Sequence, residues 1–509
     1  MQTITKINEY AMSHENTRVL RIFLLIATGI SLLLVWFAAV GVRGTDQYWY
    51  IADALRLVRG ESLVTNTYFP GEILRNGEVP SPNYISHNSP MLYLVAIVVS
   101  LTSFSVYKSW ILLNVIFHFV IAASIFKIVE KYTDQNTSYA ATAIYLLSPI
   151  AIWQTLNPLL EMYFSVLVAT VLLCYVLRDR VFSFWLLFVL LLLGVVSHPI
   201  FVLPAFILGA FAIYDKRNVN KACLVFGSVA YFSLVFLCLH RKGVWFPSSF
   251  QPSLQAIITS AVPNKSNMFW QYSETLPVID SEFLIAKLIR AVEIHVLTLR
   301  NVPLYVFTNI AILMAIYLTI SSFRKWWSIL LPLGLFGCLY LAMIVLQQNQ
   351  PRYQQIVAPV SFVFIGVGIY QLLGKEWLRS RICVAAVGIS MCLIASVSLY
   401  IANTARVEAN NQKLEVKKLR SLVSTFPEST RFVGINVKPH NPFSYIVSPR
   451  EMLFVRTDML EEKSIEKAME LFKPDYYLIM NDVFSVDGVP MGIWESDRFG
   501  KLFVYKYER

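Results

Sequence analysis

Long apolar runs alternate with short, positively charged connectors between residues 1 and 402. Apolar runs of about 18 or more residues are typical of membrane helices, and short cationic loops favour the cytoplasmic side. The cationic connectors lie at residues 178–180, 215–217, 323–325 and 375–381. This pattern predicts an α-helical polytopic membrane protein with about eleven spans, and counts from eleven to thirteen remain open.

The first apolar run, residues 19–42, follows a polar segment that carries basic residues. It is longer than the roughly 7–15 residues of a signal-peptide core, so we expect a retained anchor with a cytoplasmic N-terminus. The run at 91–106 is short and contains several Ser and Thr residues, which favours a juxtamembrane or re-entrant helix. This topology predicts that a first loop, residues 43–90, and a second long segment, residues 240–300, lie on the outer face.

The composition supports the membrane class. Of the 509 residues, 56% are hydrophobic and only 15% are charged, whereas soluble domains carry about 25% charged residues. The net charge of +11 is concentrated in short clusters between spans, where it sets topology, so no nucleic-acid partner is predicted. The six cysteines lie in or beside apolar runs and show neither a disulfide framework nor metal-ligand spacing.

The chain changes character after about residue 402. Charged residues become frequent, and short strand-like runs occur at 431–437, 475–480 and 501–507, with a helical pattern at 463–472. The sequence therefore predicts two units: a membrane domain, residues 1–402, and a small extracytoplasmic α/β domain, residues 403–509.

Two carboxylates lie where predicted outer segments meet the membrane. Asp46 comes a few residues after the first apolar run, and Glu161 follows an Asn-Pro turn where the second outer loop re-enters. A carboxylate near the membrane edge is costly, which makes it a candidate functional group. Either residue could instead cap the helix that follows it.

The same face carries candidate cations. His87 precedes Asn-Ser-Pro at the end of the first loop, and Arg352 lies in the turn QQNQPRYQQ. Arginine is disfavoured on the outer side, which favours an anionic ligand for Arg352. The first-loop arginines, Arg75 among them, are either phosphate ligands or solvated side chains. His118, within an apolar run, is interpreted as a buried packing histidine, and His198 at an outer turn is a weaker candidate.

These features resemble the polyprenyl-phosphate-sugar-dependent glycosyltransferases of the C superfamily, which include protein O-mannosyltransferases and lipid A aminoarabinose transferase. The matching motifs are an Asp followed by aromatics and IADALRLVRGE, a basic residue ahead of a proline and a short helix, an acidic second loop, and a late PRY turn. The resemblance implies that Asp46 and Glu161 are catalytic. It also implies that the donor phosphate is bound by His87, Arg352, Arg75 and Tyr353.

The resemblance implies transfer of a sugar from a polyprenyl-phosphate donor to a glycan, lipid or protein acceptor at the outer face of a bacterial inner membrane. The phosphate leaves as a stable anion, so cations assist its departure while Asp46 removes a proton from the acceptor. Glu161 either orients the acceptor or holds a divalent cation, and the sequence leaves both open. The alternatives are a transporter or flippase of lipid-linked sugars, and an assembly scaffold.

Overall fold

The computed structural model describes most of the chain. The described residues are 2–43, 45–60, 67–79, 90–197, 201–215, 227–234, 278–290, 306–347, 356, 358–378, 380–436, 450–457, 461–480, 490–496 and 500–507.

The chain is mostly helical, as the sequence predicts. The helices are α1 (Gln2–Ala38), α2 (Thr45–Val58), α3 (Pro70–Asn76), α4 (Pro90–Thr102), α5 (Val106–Tyr132), α6 (Gln135–Leu147), α7 (Pro149–Thr155), α8 (Glu161–Val176), α9 (Val181–Ser197), α10 (Val202–Asp215), α11 (Val306–Gln347), α12 (Ala358–Leu378), α13 (Arg381–Val423) and α14 (Glu462–Phe472). Within the described ranges, three stretches are long and apolar enough to cross a membrane: Glu15–Ala38, Val106–Tyr132 and Arg381–Val423. The number of spans stays a prediction.

Side-chain caps explain why several helices begin where they do. Ser105 accepts from the third residue of α5, Asp134 caps α6, and Ser380 caps α13. Ser148 caps α7, whose first residue is Pro149. In each case a side-chain oxygen satisfies an N–H group that the helix itself leaves unpaired.

The main hydrophobic core lies between the apolar helices. Helix α1 packs against α6 and α13, and α5 packs against α6 and α8. Helix α12 approaches α5 and α6 at Gly366, where a Cβ atom would lie 3.1 Å from Val129 and 3.2 Å from Ala141. A larger residue at this position would push the helices apart.

The short helix predicted at 91–106 is present as α4. Its 13 residues span about 20 Å, less than the ~30 Å of a bilayer core. The residue that follows it, Ser103, is a non-glycine residue with a φ of 59°. Helix α4 packs against α2. Its position relative to the membrane stays a prediction.

The C-terminal sheet has six strands in the order β1-β3-β2-β4-β6-β5. The strands are β1 (Thr67–Tyr68), β2 (Arg431–Ile435), β3 (Glu451–Val455), β4 (Tyr476–Met480), β5 (Gly492–Ser496) and β6 (Gly500–Lys506). The three predicted strands and the predicted helix are confirmed as β2, β4, β6 and α14. Strands β3 and β5 were not predicted.

Strand β1 comes from the first loop and pairs in parallel with β3, with Tyr68 opposite Leu453. The first loop therefore supplies an edge strand to the C-terminal sheet. Helix α3, also from this loop, packs against α14. On the other face of the sheet, Leu419 and Val423 from the end of α13 join the second hydrophobic core.

Helix α13 connects the two regions without a break. Its 43 residues extend about 65 Å, roughly twice the thickness of a bilayer core. Beyond its apolar part, it buries a residue every three or four positions, namely Ala402, Ala405, Ala409, Gln412, Glu415, Leu419 and Val423. The predicted division into 1–402 and 403–509 stays a prediction, and its boundary falls inside this helix.

Candidate functional site

A buried polar cluster joins the start of α2 to the turn between α7 and α8. The Arg43 Nη2 atom donates to Asn157 Oδ1 at 2.8 Å, and Gln47 Nε2 donates to the same oxygen at 2.6 Å. The Arg43 backbone N–H donates to Gln47 Oε1 at 3.0 Å. All three side chains are buried, so the first and second predicted outer loops are tied together by direct hydrogen bonds.

Asn157 is held from two further directions. Its Nδ2 atom donates to the Trp153 carbonyl at 2.6 Å, which closes the end of α7 onto the turn. Asn114 of α5 donates its amide to the Asn157 carbonyl at 2.8 Å and to the Thr155 carbonyl at 3.2 Å. The turn is thus fixed to the helical core.

Helix α13 completes the cluster. Gln412 donates its side-chain amide to the Arg43 carbonyl, and the Tyr48 hydroxyl donates to Gln412 Oε1 at 3.3 Å. Five segments therefore meet here: the connector between α1 and α2, the start of α2, α5, the α7–α8 turn and the stalk formed by α13. A connected network of this kind restricts its members to few arrangements.

Arg43 gives the cluster a positive charge. Burial lowers the pKa of its guanidinium from the ordinary value, and the nearby Tyr107 and Glu408 act in the opposite direction. Arginine stays charged in proteins regardless of such shifts.

Glu161 is the first residue of α8, and only 4% of it is exposed. Its carbonyl accepts from the Ser165 hydroxyl at 2.9 Å and from Gln154 Nε2 at 3.3 Å. Gln154 also donates to the Ser165 hydroxyl at 2.5 Å. The backbone of Glu161 is therefore fixed by side chains of α7 and α8.

The structure brings the segments of the two predicted catalytic residues together. Asp46 is the second residue of α2, and its side chain lies outside the described residues. The next residue, Gln47, is bonded to Asn157, which lies four residues before Glu161. In the sequence, the Asn-Pro dipeptide at 157–158 indicates only a turn, and no local pattern predicts the hydrogen bonds that Asn157 makes.

Of the predicted phosphate-binding residues, the structure describes only Arg75. Arg75 lies exposed in α3, the helix that packs against α14. The predictions for His87, Arg352, Tyr353 and the weaker candidate His198 fall outside the described residues.

His118 is a fully buried residue of α5, as the sequence predicts. Its Nε2 atom lies 3.0 Å from the Ser31 hydroxyl. Its ring packs between Phe119 and Tyr145 at centroid distances of 5.4 and 5.2 Å.

No family model matches the sequence, and no curated protein matches it. The fold is similar to that of the Archaeoglobus fulgidus oligosaccharyltransferase complex with Zn and sulfate, with a TM-score of 0.57 and 13% identity over 91% of this chain and 68% of that one. It is also similar to ArnT from Cupriavidus metallidurans bound to undecaprenyl phosphate, with a TM-score of 0.55 and 9% identity over 95% and 97% of the two chains.

A third similar structure is the oligosaccharyltransferase AglB from Archaeoglobus fulgidus in complex with an inhibitory peptide and a dolichol-phosphate. Its TM-score is 0.54, with 12% identity over 91% of this chain and 69% of that one. These structures are members of the C superfamily of glycosyltransferases. The resemblance inferred from the sequence is therefore confirmed at the level of the fold.

Proposed function

We propose that the protein is a membrane glycosyltransferase. It moves a sugar from a polyprenyl-phosphate donor to a cell-envelope acceptor at the outer face of a bacterial inner membrane, by an inverting displacement. The fold supports this proposal, because two similar structures hold undecaprenyl phosphate or dolichol-phosphate. Fold alone does not define function, so the proposal also depends on the polar cluster.

The observation that carries the proposal is the hydrogen bond from Gln47 to Asn157 at 2.6 Å. It joins the helix that begins with Asp46 to the turn that leads into Glu161. A transfer between two bound substrates needs its reactive groups held in a fixed relation. Two carboxylate-bearing segments, fixed to each other and to the core, provide such a frame.

The chemistry divides between the two carboxylates. Asp46 acts as the general base that takes the proton from an acceptor hydroxyl or amine as it attacks the sugar carbon. Attack opposite the phosphate breaks the bond from that carbon to the phosphate oxygen and inverts the configuration, as in a single displacement at a glycosidic carbon. Glu161 orients the acceptor or holds a divalent cation.

The leaving polyprenyl phosphate needs cations and hydrogen-bond donors rather than an acid. His87, Arg352, Arg75 and Tyr353 are the proposed donor-phosphate ligands. Bonds from cations to phosphate oxygens are charge-assisted and strengthen as negative charge develops on the leaving group.

The test is a transfer assay with purified protein, a set of polyprenyl-phosphate sugars and an envelope extract as acceptor. Release of free polyprenyl phosphate reports transfer, whereas a transporter would move the donor intact. The Asp46→Asn variant should lower the rate by about 10²–10⁴-fold. Glu78→Gln is the matched control, because Glu78 is an exposed carboxylate of the same loop. Full activity of the Asp46→Asn variant would show that Asp46 is not the general base.

Mass spectrometry of envelope glycans from cells with and without the protein would then identify the sugar and its acceptor. Unchanged glycans, together with inactivity toward every donor, would contradict the proposed function.

A further inference from the structure

A groove of about 480 Å³ lies beside the stalk formed by α13. It is lined by the segment that follows α1, one side of α2, the corner between α4 and α5, and α13 itself. The walls are largely apolar and include Ile51, Leu55, Val58, Val99 and Phe104. Its volume falls within the roughly 300–1,000 Å³ typical of pockets that hold one small ligand.

The groove opens next to an exposed apolar strip on α4 and its following corner. Leu101 is 80% exposed, Ile97 is 54% exposed and Phe104, which also lines the groove, is 47% exposed. Contiguous exposed apolar surface marks a contact with lipid or with another molecule. The lining of the groove therefore continues onto a surface suited to acyl chains.

Two cations stand at the rim. Lys413 and Arg420 line the groove from α13, with Val416 between them. Seven residues correspond to about two helical turns, so both cations lie on the same side of the stalk, roughly 10 Å apart. Both cations therefore line a largely apolar groove.

Lys413 lies within side-chain reach of the lipid headgroups, and Arg420 lies about 10 Å further along the helix. Ala402 and Ala405 pack against Leu34, Val35 and Ala38 at the end of the first candidate span. Lys413 follows eight residues later, about 12 Å along the helix. A long lysine side chain extends toward the membrane surface from that position, where headgroups begin beyond the hydrocarbon core.

We infer that this groove binds one anionic phospholipid of the surrounding membrane. Its phosphate lies between Lys413 and Arg420, and one acyl chain follows the groove past Phe104 toward the bilayer. Neither cation belongs to the proposed donor-phosphate ligands, so this is a second lipid site. It goes beyond the proposed function, since it requires only that the chain is embedded in a membrane.

Native mass spectrometry of the full-length protein tests the inference. The protein is titrated with phosphatidylglycerol, with phosphatidylcholine of the same acyl chains, and with polyprenyl phosphate. We expect phosphatidylglycerol to bind on the order of tenfold more tightly than phosphatidylcholine. This comparison needs no variant, and equal affinities for the two phospholipids would overturn the inference.

Paired variants then locate the site. Lys413→Gln with Arg420→Gln should abolish the preference for phosphatidylglycerol. Lys417→Gln with Lys418→Gln removes the same charge from exposed positions of the same helix that do not line the groove, and should leave the preference intact. An equal loss of the phosphatidylglycerol preference in both pairs of variants would indicate a general electrostatic attraction between the basic helix and anionic lipid. Loss of polyprenyl-phosphate binding in the first pair would assign the groove to the donor. Either result would overturn the inference.

Discussion

Tyr68 of the first loop donates a hydrogen bond to Glu451 of the C-terminal sheet, with an oxygen–oxygen distance of 3.4 Å. Glu451 also pairs with Arg431 at 2.6 Å. Burial, followed by the nearby Glu451 carboxylate, raises the pKa of Tyr68 above its ordinary value, so the hydroxyl stays protonated and able to donate. The loop that begins with α2 is therefore anchored to a domain more than 350 residues away in sequence.

The first prediction tests this anchor through Ile73 of α3. Ile73 is fully buried in the core that the loop shares with β2, β3 and α14. Ile73→Ala should destabilise the C-terminal domain by about 2–5 kcal/mol, because it leaves a cavity in a packed core. Thermal unfolding of the purified protein, with limited proteolysis of the first loop, would measure the effect.

Asn76→Ala is the control for Ile73, since Asn76 is an exposed residue of the same helix. A midpoint of unfolding that is the same in both variants would show that the loop does not depend on this packing.

The second prediction concerns Asn157. Asn157→Ala removes the shared acceptor of Arg43 and Gln47 and leaves two buried donors unpaired. Such a loss costs about 1–3 kcal/mol for a buried group, and more for a charged one. We expect lower thermal stability and, if the proposed function holds, a fall in kcat greater than the change in KM. Asn157→Asp keeps an acceptor oxygen and should recover part of both losses. Equal behaviour of the Ala and Asp variants would contradict a role for these hydrogen bonds.

The sequence predicts the parts of the fold that local patterns determine. The strand-like run of residues 475–480 identifies β4, and the helical pattern of 463–472 identifies α14. Strand β1 could not be predicted in this way, because two residues carry no strand pattern, and β1 is defined by its pairing with β3. Gln412 was missed for a related reason: it lies in a charged stretch that reads as solvated, yet it packs inward against Arg43.

In the candidate site too, local patterns predict individual residues but not the contacts between distant segments. The free-energy cost of placing a charge near a membrane identified Asp46 and Glu161, each on its own, as candidate functional residues. Their relation depends on Asn157, whose amide oxygen accepts from the side chains of Arg43 and Gln47, 114 and 110 residues away in sequence. It also depends on Asn114, whose amide donates to backbone carbonyls of the α7–α8 turn. A single chain contains no local signal for such contacts.

The third prediction is a double-mutant cycle on His118 and Ser31, whose side chains lie 3.0 Å apart in the core. Ser31→Ala removes the partner of a fully buried ring nitrogen and should cost about 1–3 kcal/mol. His118→Leu removes the polar ring, so the added cost of Ser31→Ala in that background should be smaller, with a coupling of about 0.5–1.5 kcal/mol. Thermal unfolding of the four proteins gives the coupling. Full transfer activity in all of them would fit a packing role for His118, and loss of activity without loss of stability would contradict it.

The fourth prediction separates the chemistry of Glu161 from its place in the fold. Glu161→Gln keeps the volume of the side chain and leaves the backbone carbonyl free to accept from Ser165 and Gln154. We therefore expect a correctly folded protein whose transfer rate falls by on the order of 100-fold or more, because the neutral amide cannot replace the carboxylate in orienting the acceptor or holding a divalent cation. Ser165→Ala is the matched comparison, since it removes a hydrogen bond to the Glu161 carbonyl and leaves the carboxylate in place. We expect that variant to lose stability and to keep most of its activity. If Glu161→Gln retained full activity while Ser165→Ala did not, Glu161 would serve to start α8, and the acceptor would have to be oriented by another group.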